Sequence, residues 1–169
     1  VMKSEQREKP IDCGAVLLEK LPRLSTYPAS IRKFLVFALQ KLVREDRINA
    51  FLIDNAMTQD FAFVDQVFQH LKIEHIAGDG DIKNIPPKGR VIIVANHPLG
   101  GLDGLALLRL VSNVRHDVRI VVNDLLLHIR QLNDLSLPVD VIGGKTKKAD
   151  IYRIRQALYH DEAVIIFQP

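Results

Sequence analysis

The sequence is short of the residues that staple small proteins or hold metals. Cys13 is the one cysteine in 169 residues, so no internal disulfide can form and no second thiol can complete a metal site. It reads as an unpaired thiol in a reducing compartment. His116, His128 and His160 have no cysteine or histidine at metal spacing, and they read as surface residues. Gly78-Asp79-Gly80-Asp81 lacks the remaining ligands of a calcium loop and reads as a turn. No apolar run approaches the ~20 residues needed to cross a bilayer. There is no internal repeat and no low-complexity tract.

What remains is ordinary for a soluble globular protein: 47% hydrophobic and 25% charged residues, in a chain long enough for a real core. The charge is uneven. Residues 1–50 carry ten Lys and Arg against six Asp and Glu, a net of +4, and the rest carry thirteen against fourteen, a net of −1. A nucleic-acid groove needs a continuous basic surface, which the near-neutral larger part does not offer, so no nucleic-acid partner is expected. The basic N-terminal part suits an anionic lipid surface or an acidic carrier protein.

The periodicity divides the chain into a helical N-terminal region, residues 1–80, and an α/β core, residues 81–169. Val1 to Pro10 is charged and reads as loose. Ile31 to Arg47 reads as a helix with Ile31, Phe34, Leu35, Ala38, Leu42 and Val43 mostly on one stripe. That stripe fits core packing or, with its basic flanks, a membrane-surface helix. Phe61 to Leu71 reads as a second helix. Gly78 to Asp81 and Pro86-Pro87-Lys88-Gly89 are loop signals.

From Arg90 the rhythm changes. Strands are expected at Val91–Ala95, Val118–Val122, Val139–Ile142 and Ala163–Phe167. Helices are expected at Gly104–Val111, Leu125–Leu132 and Ala149–Tyr159. Continuous Val/Ile runs alternating with helices imply βαβ units: an α/β fold with a mostly parallel sheet flanked by helices on both faces. A chain that starts at a valine and stops at Gln168-Pro169, just after a strand, reads as a piece of a longer protein cut at its C-terminus.

The stretch richest in chemistry is Asn96-His97-Pro98-Leu99-Gly100-Gly101-Leu102-Asp103-Gly104, directly after the first of those strands. It puts a histidine and a carboxylate on a glycine-rich turn at the carboxyl end of a parallel sheet, where ligands of such sheets bind. Histidine can move a proton near neutral pH, and a carboxylate can fix its tautomer and stabilise its charged form. The plainer reading is a capped turn in which Asp103 starts the helix and His97 bonds a neighbour.

Val91-Ile92-Ile93-Val94-Ala95-Asn96-His97-Pro98-Leu99-Gly100-Gly101-Leu102-Asp103-Gly104 resembles the first motif of the glycerolipid acyltransferase superfamily, the lysophosphatidate-acyltransferase-like enzymes. The likeness is strongest to the bacterial hemolysin-like, or lysophospholipid acyltransferase, branch. Asn84-Ile85-Pro86 is similar to the family's lead-in, and the resemblance covers about Ile82 to Pro169. The common motif has four residues between histidine and aspartate. Here there are five, and Gly100-Gly101 can absorb the extra one as a bulged turn.

The resemblance implies that His97 deprotonates an acceptor hydroxyl, Asp103 orients the imidazole, and the hydroxyl attacks an acyl thioester. Backbone N–H groups near Gly100 and Gly101 are the implied oxyanion donors. Asn96 joins them in binding substrate, and Gly104 serves packing or the turn. Lys145, after Val139-Asp140-Val141-Ile142-Gly143-Gly144, matches the block that holds an acceptor phosphate. With Lys147 and Lys148 it equally reads as a solvated basic turn. A nucleotide loop through Gly144-Lys145-Thr146 does not fit, because Val139 stands where its first glycine belongs. Phe167-Gln168-Pro169 approximates the start of a later family block.

The resemblance further implies no metal or redox cofactor, with acyl-CoA or acyl carrier protein as donor cosubstrate. It implies a lysolipid acceptor and a membrane surface as partners. The protein is expected in the cytoplasm, peripheral on the inner face of the membrane. A hydrolase using the same pair to activate water and a catalytically silent lipid-binding domain stay open as alternatives.

Overall fold

The computed structural model describes residues 9–74, 78–96, 98–139 and 147–168. It falls into two compact units, Val1–Ala56 and Met57–Pro169.

The first unit holds α1 (Cys13–Lys20), α2 (Ala29–Val43) and α3 (Glu45–Asp54). Sequence periodicity does not anticipate α1. Asp12 starts it as a cap, accepting hydrogen bonds from Gly14 N–H at 2.8 Å and Ala15 N–H at 3.0 Å, which satisfies donors that a helix start leaves open. The single helix expected over Ile31 to Arg47 is two. Arg44 takes a left-handed conformation, φ 55°, between α2 and α3, and the chain changes direction there. Two buried polar side chains of α3 hold the segment leading into α1. Asn49 accepts from Ile11 N–H and donates to Ile11 C=O, both at 2.8 Å, and Glu45 accepts from Cys13 N–H at 3.0 Å.

The second unit is an α/β fold. Its strands are β1 (Val91–Ala95), β2 (Val118–Asn123), β3 (Ser136–Val139) and β4 (Ala163–Phe167). They form one parallel sheet in the order β1-β4-β2-β3. Its helices are α4 (Asp60–Leu71), α5 (Asp79–Lys83), α6 (Gly101–Ser112) and α7 (Lys148–Tyr159). The connection from β1 through α6 to β2 steps one way across the sheet, and that from β3 through α7 to β4 steps back. Such crossovers are right-handed, so α6 and α7 lie on opposite faces. Ala163, Val164 and Ile165 of β4 are wholly buried; because successive residues face opposite ways, both faces of this inner strand are covered. Edge strand β1 differs, with Ile92 and Val94 exposed on one face.

Three expectations need correction. The loop signal at Gly78 to Asp81 contains the start of α5. The helix expected at Leu125–Leu132 is a pair of 3-10 turns, Asp124–His128 and Arg130–Leu135. The third strand runs over Ser136–Val139, earlier than Val139–Ile142, because Pro138 is tolerated on an edge strand. Residues 140–142 of that expectation, and 1–8 of the loose N-terminus, lie outside the described residues.

Two polar clusters fix the second unit. Asp65 accepts from Arg109 Nε at 2.8 Å, and the Arg109 guanidinium sits 5.0 Å from the centre of the Phe68 ring, tying α4 to α6. At the amino-terminal edge of the sheet, buried Arg115 donates to both carboxylate oxygens of Asp117 and to the carbonyls of Pro86, Gly89 and Asp161. It thereby gathers the segments that enter β1, β2 and β4.

Candidate active site

The site lies at the opposite edge, where the strands end. Ala95 pairs with Phe167 as the last residues of β1 and β4, and Gln168 N–H extends the ladder by donating to Ala95 C=O at 3.0 Å. Asn96 follows at once. The chain then turns through Pro98, Leu99 and Gly100 into α6.

That turn depends on glycine at one position. Gly100 caps α6 with φ 70° and ψ −136°, a conformation that costs an L side chain dearly. A Cβ at Gly100 or Gly101 would meet nothing within 4 Å, so the backbone at the head of α6 is open to approach. Gly104 differs: its Cβ would lie 3.1 Å from Ile120 Cδ1. Its small size lets α6 settle on β2, in keeping with a packing role.

Asp103 sits in the first turn of α6. Its Oδ2 accepts from Leu99 N–H at 2.7 Å, and its own N–H donates to Gly100 C=O at 3.0 Å. The helix starts at Gly101, earlier than expected, so Asp103 is not its first residue but the carboxylate that clasps the preceding turn. This orders Leu99 to Asp103 and fixes one carboxylate oxygen. His97 and Lys145 lie outside the described residues.

Asn96 and Asp103 stand together on the wall of a cleft of about 450 Å³. Beyond them, Leu102, Ala106, Leu107 and Leu110 of α6 form one side, Phe68 and Ile73 from the end of α4 another, and Ala95, Leu99 and Phe167 complete it. Glu74 is the remaining polar lining residue. Asp103 to Leu110 spans seven residues, about 10 Å of helix, so the cleft runs from the polar turn down an apolar wall. A pocket of this size, mostly apolar with a few converging polar groups, suits a ligand with a hydrocarbon body and a polar reacting end. Among the described residues no three His, Cys, Asp or Glu side chains are grouped to hold a metal ion.

Sequence reasoning missed Phe68, Ile73, Glu74 and Leu110 as cleft residues. Phe61, Val64, Val67, Phe68 and Leu71 recur at helical spacing, a pattern that signals a packed face but not a cleft wall. Phe68 is indeed buried, and it also forms the cleft wall.

Comparison with known proteins gives the class to which this chain belongs. Residues 15–168 match the acyltransferase family, and the chain belongs to it. Over 163 residues it is 36% identical to a lyso-glycine lipid O-acyltransferase of Bacteroides thetaiotaomicron, a match covering 93% of the chain and 56% of the relative. It is 33% identical over 162 residues to a lyso-glycine lipid O-acyltransferase of Phocaeicola vulgatus, covering 94% and 55%. The chain thus spans about half the length of these curated relatives. No solved structure matches it. The family resemblance carried by the Asn96–Gly104 motif is therefore borne out. No helix among the described residues is long and apolar enough to cross a membrane.

Proposed function

We propose that the protein is an O-acyltransferase that moves a fatty acyl group from an acyl thioester to the hydroxyl of a lysolipid at a membrane surface. The observation that carries this reading is the apolar cleft opening onto Asn96 and Asp103. An acyl chain lying against Leu107 and Leu110 would leave its polar end at the turn from Pro98 to Gly100. His97 accepts the hydroxyl proton and Asp103 orients its imidazole. The freed oxygen attacks the thioester carbonyl carbon, and the tetrahedral oxyanion draws on the N–H groups at Gly100 and Gly101. Collapse breaks the C–S bond, and the imidazolium returns its proton to the thiolate. The products are an ester and a free thiol, and no metal or redox cofactor takes part.

The donor is acyl-CoA or acyl carrier protein. The names of the relatives favour a lyso-glycine lipid as acceptor; Asn96 and Lys145 hold the acceptor's polar end. The test is acyl transfer from a labelled thioester to a lyso-glycine lipid, with His97→Ala beside the wild type. A general base supplies about 10²–10⁴-fold, so the variant should lose at least 10²-fold in turnover with its melting temperature kept. Unchanged turnover, or free fatty acid as the main product of the wild type, would overturn the reading.

A further inference from the structure

We propose that the outward face of α7 is the docking surface for an acidic acyl carrier protein, which brings the donor thioester. Helix α7 packs on β3 and β4 with Asp150 and Ala157 buried. On the side away from the sheet, Lys148, Tyr152, Arg155 and Tyr159 recur at i, i+4, i+7 and i+11, which is one face of a helix. All four are exposed, Tyr152 at 62% and Tyr159 at 73%, and exposed Ile151 borders them. The face is basic and lacks a counter-charge of its own. The single acid of α7, Asp150, is buried, accepting from Lys147 N–H at 3.2 Å and from Arg153 at 3.0 Å. Arg153 is thereby held, whereas Lys148 and Arg155 make no hydrogen bond or ion pair with any described residue.

Charge and spacing identify the occupant. Tyrosine and arginine are the residues that anchor protein interfaces, since each offers a large contact area with a polar tip. Here cation and tyrosine alternate along about 16 Å of helix. A bilayer needs the apolar groups contiguous so that they sink together, with the cations at the flanks. An alternating face instead meets a protein surface that bears carboxylates, and charge of opposite sign steers the encounter. Position agrees with a donor. β3 ends and β4 begins at opposite edges of the parallel sheet, so α7 runs back against the strands. Lys148 therefore lies toward the carboxyl edge, where Asn96 and Asp103 stand, and Tyr159 toward the amino edge, close in sequence to Asp161, whose carbonyl Arg115 binds. A carrier seated on this face holds its thioester-bearing arm at the edge where acyl transfer takes place.

The inference rests on the proposed function for the donor's chemistry, and binding of a carrier without its arm tests it separately. Apo-acyl carrier protein of Bacteroides thetaiotaomicron, which has neither the thiol-bearing arm nor an acyl chain, is immobilised and titrated with the chain. Lys148→Glu/Arg155→Glu, Arg155→Glu alone and Tyr152→Ser/Tyr159→Ser are run beside the wild type. Arg32→Glu/Lys33→Glu on α2 is the control, a helix that is also basic, with Val36 against Gly14 of α1 and no residue buried. The wild type should bind saturably. Each double variant on α7 should weaken binding at least about tenfold with an unchanged circular dichroism spectrum, and Arg155→Glu should show part of that loss. The α2 variant should stay within about twofold of the wild type, and free coenzyme A should not displace the carrier. No binding by the wild type, α7 variants that bind as it does, an α2 variant that loses as much, displacement by coenzyme A, or retention on phosphatidylglycerol vesicles with none on the carrier would each overturn docking. A wild type that binds the carrier through α7 and transfers no acyl group would count against the catalytic reading and leave docking standing. One that transfers from acyl-CoA and binds no carrier would do the reverse.

Discussion

Arg115 is the residue whose loss should damage the α/β unit most. Its side chain is 2% exposed, whereas that of its partner Asp117 is 49% exposed. The guanidinium makes five hydrogen bonds, two to Asp117 and three to the carbonyls of Pro86, Gly89 and Asp161. Arg115→Met keeps the apolar stem and removes all five. Breaking a fully buried ion pair costs about 3–5 kcal/mol. Here the half-exposed carboxylate can return to water, so the expected loss is smaller, about 2–3 kcal/mol, most of it from carbonyls left without their donor. Arg90→Met supplies the contrast: the Arg90–Asp161 pair is 3.8 Å long with both side chains about two-thirds exposed, and its loss should cost under about 1 kcal/mol.

Hydrogen exchange at β1, β2 and β4, alongside urea unfolding, measures the difference where the staple acts. The pH dependence adds a second check. The hydrogen bond from Arg115 holds the Asp117 carboxyl below the usual carboxylate range. A depressed folded pKa stabilises above the unfolded value of 3.8 and is lost as pH falls through the folded one. The gap between wild type and Arg115→Met should therefore be full at pH 7 and narrow below that value. A cost no larger than that of Arg90→Met, or a gap that widens in acid, would refute the argument.

Asp60→Asn should raise the melting temperature at pH 7. Burial first, and Asp134 second, push the Asp60 carboxyl up, and its buried Oδ1 has no partner among the described residues; the gain should fade as pH falls through the raised folded value toward 3.8 and be gone below it, where the unfolded carboxyl is also protonated. Cys13 should resist alkylation, since burial first and Glu45 next raise its thiol to about 11; at pH 8 iodoacetamide should react about 10²-fold more slowly than with a free thiol. Gly100→Ala should destabilise by about 1–3 kcal/mol, read by urea unfolding, because the cost is the positive φ and not a clash. Asp103→Asn should lower turnover at least about 10²-fold while costing less than about 1 kcal/mol of stability, since the amide oxygen still accepts from Leu99 N–H.

Local signals explain which elements were legible in the sequence. Strands β1 and β4 coincide with the expected Val91–Ala95 and Ala163–Phe167 because uninterrupted β-branched runs between breakers leave one solution. Helices α4 and α7 start one residue before the expected positions. Misreadings arise where a neighbour in space decides. Pro138 argues against a strand until β3 is known to lie at the sheet's edge, and a stripe at helical spacing argues for burial until α2 is seen to use its other side against α1.

The candidate site divides in the same way. Asn96, Gly100, Gly101 and Asp103 are contiguous, so a motif can display them. The cleft wall cannot be displayed so, because Phe68 and Ile73 precede the motif by more than twenty residues and meet α6 only through packing. The Asp65–Arg109 pair and the Arg109–Phe68 contact set that meeting. The motif therefore bears on the chemistry of the turn, while the α4–α6 contact shapes the apolar wall beside it. Two proteins could share every residue from Asn96 to Gly104 and differ in the shape of this cleft, since Leu107, Leu110 and Phe68 lie outside that stretch.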